Sequence, residues 1–353
     1  MSPPSLFAAE LLESSASAYA GCAASLFLER HPEAGERFAP CAMRDWKACL
    51  CQRIHELAAA LEAAEPALFV SRVRWAGRAF RAREMATDDL RSSLVCLREV
   101  LDDELPEAAR SETGGYIGQA LRALAELPAS EAGGLDPQHP NGRLALRYLE
   151  LALEGDAWGA VDLVVAAVDG GLDPREAYLE VLLGAQREVG GMWHLGELSV
   201  AEEHSVTATT ERALSILARR LDRRPPNGKT VVAAAVAGNN HGLGVRVVAD
   251  FFEMAGWRSI CLGADVPPSD LAAAARHFDA DLAVVSAALT TQLKAVRQSV
   301  EALRRVEDRE VKILVGGIAF DEAPELWRRL GADGHAGAAD EAVAVGARLV
   351  GLD

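Results

Sequence analysis

The stretch KTVVAAAVAGNNHGLG, residues 229–244, decides the fold. It opens with a short unbroken apolar run, passes through glycine into a polar loop, and enters a helical stretch near Gly244. An apolar run without alternation is the mark of a strand covered on both faces, as in a parallel sheet. The same grammar repeats in RSICLGADV (258–266), DLAVVSAAL (281–289) and VKILVGGIAF (311–320), with helical stretches beginning near Ser269, Gln292 and Asp321. Strand and helix in alternation predict a doubly wound parallel α/β domain of flavodoxin-like size over 229–353.

Working outward, Arg223-Arg224-Pro225-Pro226-Asn227-Gly228 marks a boundary. Before it, LALRYLELALEG, AWGAVDLVVAAVDGG, PREAYLEVLLGAQREVGGMW and SVAEEHSVTATTERALSILARRL predict four helices joined by glycine-containing turns. Short connections of this kind favour an antiparallel four-helix bundle over 144–224. ASEAGGLDPQHPNGR (129–143) is rich in Gly, Pro and polar residues and reads as a linker. Residues 1–128 read helical throughout, about five helices, with Thr87-Asp88-Asp89 as a helix start and Pro66, Pro106 and Pro128 as punctuation.

The chain has 353 residues, with 36 Lys+Arg against 52 Asp+Glu and a net charge of −16. That balance excludes nucleic acid or an anionic membrane as direct partners, since phosphate-rich surfaces repel it. No run approaches the ~20 apolar residues of a membrane span, and the N-terminus lacks a basic region followed by an apolar one, so a cytoplasmic address is expected. Six cysteines make no paired zinc spacing, and most of them are expected to be small buried hydrophobes.

In open α/β sheets ligands sit outside the carboxyl ends of the strands, which directs attention to Gly238-Asn239-Asn240-His241-Gly242-Leu243-Gly244. By itself His241 is a base, a metal ligand or a satisfied loop residue. The loop resembles the Asp/Glu-x-His-x-x-Gly motif of the cobalamin-binding domain shared by methionine synthase and cobalamin-dependent mutases. The resemblance extends over most of residues 144–353. Leu262-Gly263-Ala264-Asp265-Val266-Pro267 matches the stretch after the second strand. Ser286-Ala287-Ala288-Leu289-Thr290-Thr291 is similar to the family's S-x-L stretch with one extra residue, and Gly316-Gly317 to its later glycine pair. It implies that His241 is the cobalt ligand, with Asn239, Gly242 and Gly244 in its loop. The cofactor's displaced tail would enter a slot bordered by Ser286, Leu289, Thr290, Gly316 and Gly317. Asn239 stands where that family has a carboxylate. An amide orients a histidine without raising its basicity, so a weaker Co–His241 bond is expected.

The bundle would cap the cofactor's upper face. Trp193 followed by Glu203 and His204 makes a W-x9-E-H pattern that looks like that of the CarH-type adenosylcobalamin photoreceptors. Ser199 and Glu202 form a capping box that opens the helix carrying Glu203. By this resemblance Trp193 fills space beside an adenosyl group, Glu203 and His204 contact it, and His194 takes cobalt's upper position after illumination. CarH-type repressors carry a DNA-binding domain, and residues 1–128 show no such basic module. An all-helical N-terminal domain joined to this unit looks like the photocobilins, which bind biliverdin as well as cobalamin. The helix count is compatible with a globin-like domain. On one helix Arg74, Arg78 and Arg81 share a face that suits bilin propionates, with Trp75 and Phe80 flanking; the competing reading is a solvated face paired with Asp and Glu. The function this implies is a light sensor, not an enzyme, with a changed homo-oligomer as output to a downstream signalling protein or enzyme. The alternatives are a corrinoid methyl carrier of a methyltransferase system, or a cobalamin sensor without photochemistry.

Overall fold

Composition places α/β grammar after a long helical region, and the computed structural model, which describes residues 3–127, 134–307 and 309–352, has that order. Residues 128–133, which include Pro128 and part of the expected linker, lie outside the described residues. The chain folds as two units. The first takes Met1–Ala129 together with Leu289–Lys294 and Ala319–Leu326; the second takes Ser130–Ala288, Ala295–Ile318 and Trp327–Asp353.

In the first unit the helices are α1 (Pro3–Arg30), α2 (Pro32–Arg37), α3 (Ala42–Glu62), α4 (Pro66–Ala82), α5 (Thr87–Glu104) and α6 (Glu107–Ala125). Thr87 does open a helix, as its acidic neighbours suggest. The core is built around Trp46, whose ring lies 4.6 Å from Phe27, 5.3 Å from Phe38 and 5.9 Å from Phe80.

The second unit begins with the bundle: α7 (Pro140–Leu153), α8 (Ala157–Asp169), α9 (Pro174–Glu176) running through a π-helical segment (Ala177–Leu182) into α10 (Leu183–Leu195), and α11 (Val200–Leu217). Gly196, at φ 81°, ends α10 in the left-handed conformation that glycine adopts freely, and the expected capping box of Ser199 and Glu202 starts α11. The sheet follows, with β1 (Thr230–Val236), β2 (Arg258–Val266), β3 (Leu282–Ser286), β4 (Lys312–Gly316) and β5 (Gly334–Ala336). Its helices are α12 (Leu243–Met254), α13 (Pro268–His277), α14 (Leu293–Arg304), α15 (Leu326–Leu330) and α16 (Ala339–Leu349). All strand pairs are parallel and the order is β2-β1-β3-β4-β5, the flavodoxin-like winding.

Three features differ from the sequence reading. The runs 281–289 and 311–320 contribute strands only over Leu282–Ser286 and Lys312–Gly316, because their remaining residues leave the sheet at its carboxyl edge. β5 is three residues long, too short for a periodicity to show. β2 is largely exposed although its sequence is apolar in part, because it is the edge strand and its register to β1 shifts twice. β1, in contrast, is buried at every position, as its unbroken apolar run requires. The Arg223–Gly228 boundary is an irregular segment with a bend at Gly228, and it is not a break in packing. Val247, Phe251 and Met254 of α12 lie in one apolar core with Tyr178, Val206 and Leu214 of the bundle.

Candidate functional site

The sheet order reverses between β1 and β3, and the crevice at their carboxyl ends is where an α/β sheet binds ligands. The loop leaving β1 stands there. Gly238, at φ 76°, turns the chain, and its amide donates to the Asp265 carboxylate at 2.7 Å. Asn239 is 1% exposed, and its side chain does three things. Its Nδ2 donates to the Ser286 carbonyl across the switch point at 3.3 Å, which fixes the amide's orientation. Its Oδ1 then accepts from the His241 backbone amide at 3.1 Å and from His241 Nδ1 at 3.0 Å. A carbonyl oxygen only accepts, so the proton sits on Nδ1 and the lone pair of the imidazole sits on Nε2. His241 itself is exposed. The loop thus presents an imidazole whose orientation and Nδ1 proton are set by Asn239, which leaves Nε2 as the nitrogen that would bind a metal. Among the described residues no three His, Cys, Asp or Glu side chains converge on a metal position, so a metal held by His241 needs its other ligands from a group bound with it.

The glycines of this region have structural reasons of their own. A Cβ on Gly316 would come 2.5 Å from the Ala336 carbonyl oxygen, and one on Gly317, at φ 97°, would come 2.3 Å from that of Ala287. Close approach of backbone to backbone therefore demands both, independently of any ligand; the expected tail slot supplied a different reason. Gly242 would tolerate a Cβ at 3.5 Å from Ala264, and Gly244 faces open space. Ser286 ends β3 and is half-buried. Leu289 and Thr290 belong to the first unit, where Leu289 is exposed and Thr290 buried.

On the bundle, Trp193 and His194 close α10. Trp193 is 40% exposed, while His194 is 7% exposed and so is not on an open turn. Glu203 accepts from Thr207 Oγ1 at 2.9 Å through one carboxylate oxygen and pairs with His204 Nδ1 through the other; the His204 ring is otherwise open to solvent. The sequence reading missed Gln186, Thr207, Thr210 and Tyr148, which continue this hydrogen-bonded chain inward. Its only sequence signals are the four-residue step from Glu203 to Thr207 and a glutamine on an otherwise apolar helix face.

In the first unit Arg81 is exposed and gives a donor to the Leu127 carbonyl at 3.3 Å, while Arg74 and Arg78 are half-buried. Deeper groups escaped the sequence reading. Arg53 and Glu56 are both buried, and Arg53 Nη2 donates to Glu56 Oε1 at 2.8 Å. Arg53 Nε and Glu56 Oε2 also lie 2.8 Å apart, but without hydrogen-bond alignment. Burial pushes the Glu56 carboxyl up and the Arg72 guanidinium down. The buried Nε of Arg72 has no hydrogen-bond partner, nor has Trp46 Nε1 or Thr113 Oγ1.

Residues 229–345 match the B12 binding domain family, and residues 144–218 match a second B12 binding domain family. A dimethylamine corrinoid protein of Methanosarcina acetivorans is 30% identical over 196 residues, which cover 54% of this chain and 91% of the relative. A corrinoid protein of Desulfitobacterium hafniense is 29% identical over 206 residues, 56% of this chain and 94% of the relative. Among solved structures, the Methanosarcina barkeri monomethylamine corrinoid protein shares the fold, with a TM-score of 0.52, 20% identity, and coverage of 60% of this chain and 100% of that one. Residues 1–128 lie outside both family matches.

Proposed function

The chain belongs to the corrinoid proteins with B12-binding domains, and from that premise we propose that it carries an alkylated cobalamin, held from below by His241 and covered by the bundle. The observation that carries this reading is the Asn239–His241 contact at 3.0 Å, at the sheet's switch point. When bound, the cofactor supplies a cobalt that exchanges an alkyl group. The protein's part is to hold one imidazole in one tautomer, with Asn239 anchored to the Ser286 carbonyl, and to set the bundle's side chains above it. The relatives support methyl carriage for a methyltransferase component as the first form of this function. His241→Ala, reconstituted with hydroxocobalamin, is expected to lose most of its affinity and the absorbance of the histidine-ligated form. Unchanged affinity together with an unchanged spectrum would sink the proposal.

A second reading is a light sensor using adenosylcobalamin, supported by a specific arrangement in this chain. Trp193 is a large apolar side chain left exposed at the end of α10, and Glu203 with His204 stands in the first turns of α11. We place a proposed second chromophore in the helical unit, residues 1–128. What supports biliverdin as that chromophore is the positive charge of the unit: Arg72 is half-buried near Glu56, Glu322 and Arg78, and Arg74 and Arg78 lie with it on α4. Green light separates the two readings. A sensor changes its visible spectrum and its elution volume when the adenosyl-loaded protein is lit, whereas an adenosyl-like spectrum that persists rules the sensor out. Absence of a far-red band after adding biliverdin rules out the bilin.

A further inference from the structure

The carboxylate of Glu203 is the outer end of a chain of hydrogen bonds that crosses the bundle. Thr207 Oγ1 lies 2.9 Å from Glu203 Oε1 and 3.1 Å from Gln186 Oε1 on α10. Gln186 Nε2 donates to Thr210 Oγ1 at 2.8 Å. Tyr148 OH on α7 lies 2.8 Å from the same oxygen, and the Thr210 hydroxyl donates to the Val206 carbonyl at 3.0 Å. The valences close. The Thr210 oxygen accepts two bonds, from Tyr148 and Gln186, and donates one. In this arrangement the Gln186 amide turns its NH2 to Thr210 and its carbonyl oxygen to Thr207.

Thr207 is then the one member with a choice. Its hydroxyl has a single hydrogen and two carboxyl-type acceptors within reach, Glu203 on one side and Gln186 on the other. We propose that Gln186 and Thr207 are positioning residues for Glu203: they hold its carboxylate in the rotamer that meets a bulky substituent above the cobalt, and the Thr207 hydroxyl turns to Gln186 when Glu203 is engaged elsewhere. This inference rests on the adenosylcobalamin reading and adds residues of α10 and α11 that stand behind Glu203. The two acceptors give Thr207 two discrete states, so a change at Glu203 is registered on α10 through Gln186.

The test titrates the full chain, as wild type, Thr207→Val, Thr207→Ser and Gln186→Leu, with adenosylcobalamin and separately with hydroxocobalamin, followed by absorbance. Loss of the Thr207 hydrogen bond to the charged Glu203 predicts an affinity for adenosylcobalamin about tenfold weaker in Thr207→Val, whereas Gln186→Leu removes only the competing acceptor and should not share that loss. The affinity for hydroxocobalamin should stay at the wild-type value, and Thr207→Ser should restore both. Thr207→Val with the wild-type ratio of the two affinities overturns the inference, as does an equal fall in both, which marks a purely structural role. Wild-type protein that binds neither form overturns the cobalamin reading itself, an outcome visible before any variant is compared.

Discussion

At the scale of the residue, the site depends on one amide. Asn239 is buried between the Ser286 carbonyl and the His241 ring, and each of its polar atoms has a fixed partner. A carboxylate in its place would add negative charge and raise the basicity of the imidazole; the amide supplies orientation alone. Asn239→Leu removes that orientation, and the affinity for hydroxocobalamin should fall about 10–100-fold, the usual loss when a partner behind a metal ligand is removed. Isothermal titration of the variant checks it. His241 was legible in the sequence because a polar loop after a buried strand is where such folds bind ligands. The reason for Gly316 and Gly317 was not, because it lies in the carbonyls of Ala336 and Ala287, residues distant or displaced in the chain.

At the scale of the element, α11 carries the most information per residue. Ser199 Oγ accepts from the Glu202 amide at 3.3 Å, and Glu202 Oε2 accepts from the Ser199 amide at 2.8 Å, so the helix start was legible from four residues. Holding the Glu202 carboxylate in these bonds also lowers its pKa from the ordinary value. Ser199→Ala should destabilise the protein by about 1 kcal/mol, measured by urea unfolding, since it strips one capping bond from an exposed helix end. The π-helical segment at Ala177–Leu182 was not legible, because an extra residue in a turn leaves the apolar pattern nearly intact. Nor was the separation of Trp193 from His194. Adjacent residues on a helix point about 100° apart, and only packing decides which of the two is buried.

At the scale of the whole molecule, bundle and sheet share a core, and the contact between them includes a titratable pair. Tyr178 OH donates to Asp250 Oδ2 at 3.1 Å, with Arg246, Glu253 and Arg223 around the carboxylate. Burial, the largest cause, raises the Asp250 pKa above its ordinary value, so the folded protein holds this proton to higher pH than the unfolded chain does. Its contribution to stability is present in acid and is lost as pH rises through the folded value. Asp250→Asn lacks that loss. Its melting temperature should therefore gain on the wild type as pH rises above the ordinary carboxylate value, and equal slopes in the two proteins would refute the assignment. The sequence alone determined the succession of helices and parallel strands, the loop that bears His241 and the start of α11, because each rests on local periodicity or on a few neighbouring residues. Only the tertiary structure decided that β2 is an exposed edge, that bundle and sheet are one unit, and that Glu203 is tied through Thr207 and Gln186 to Tyr148. Those are matters of which distant side chains meet, and no spacing along a chain encodes a meeting between residues 62 positions apart.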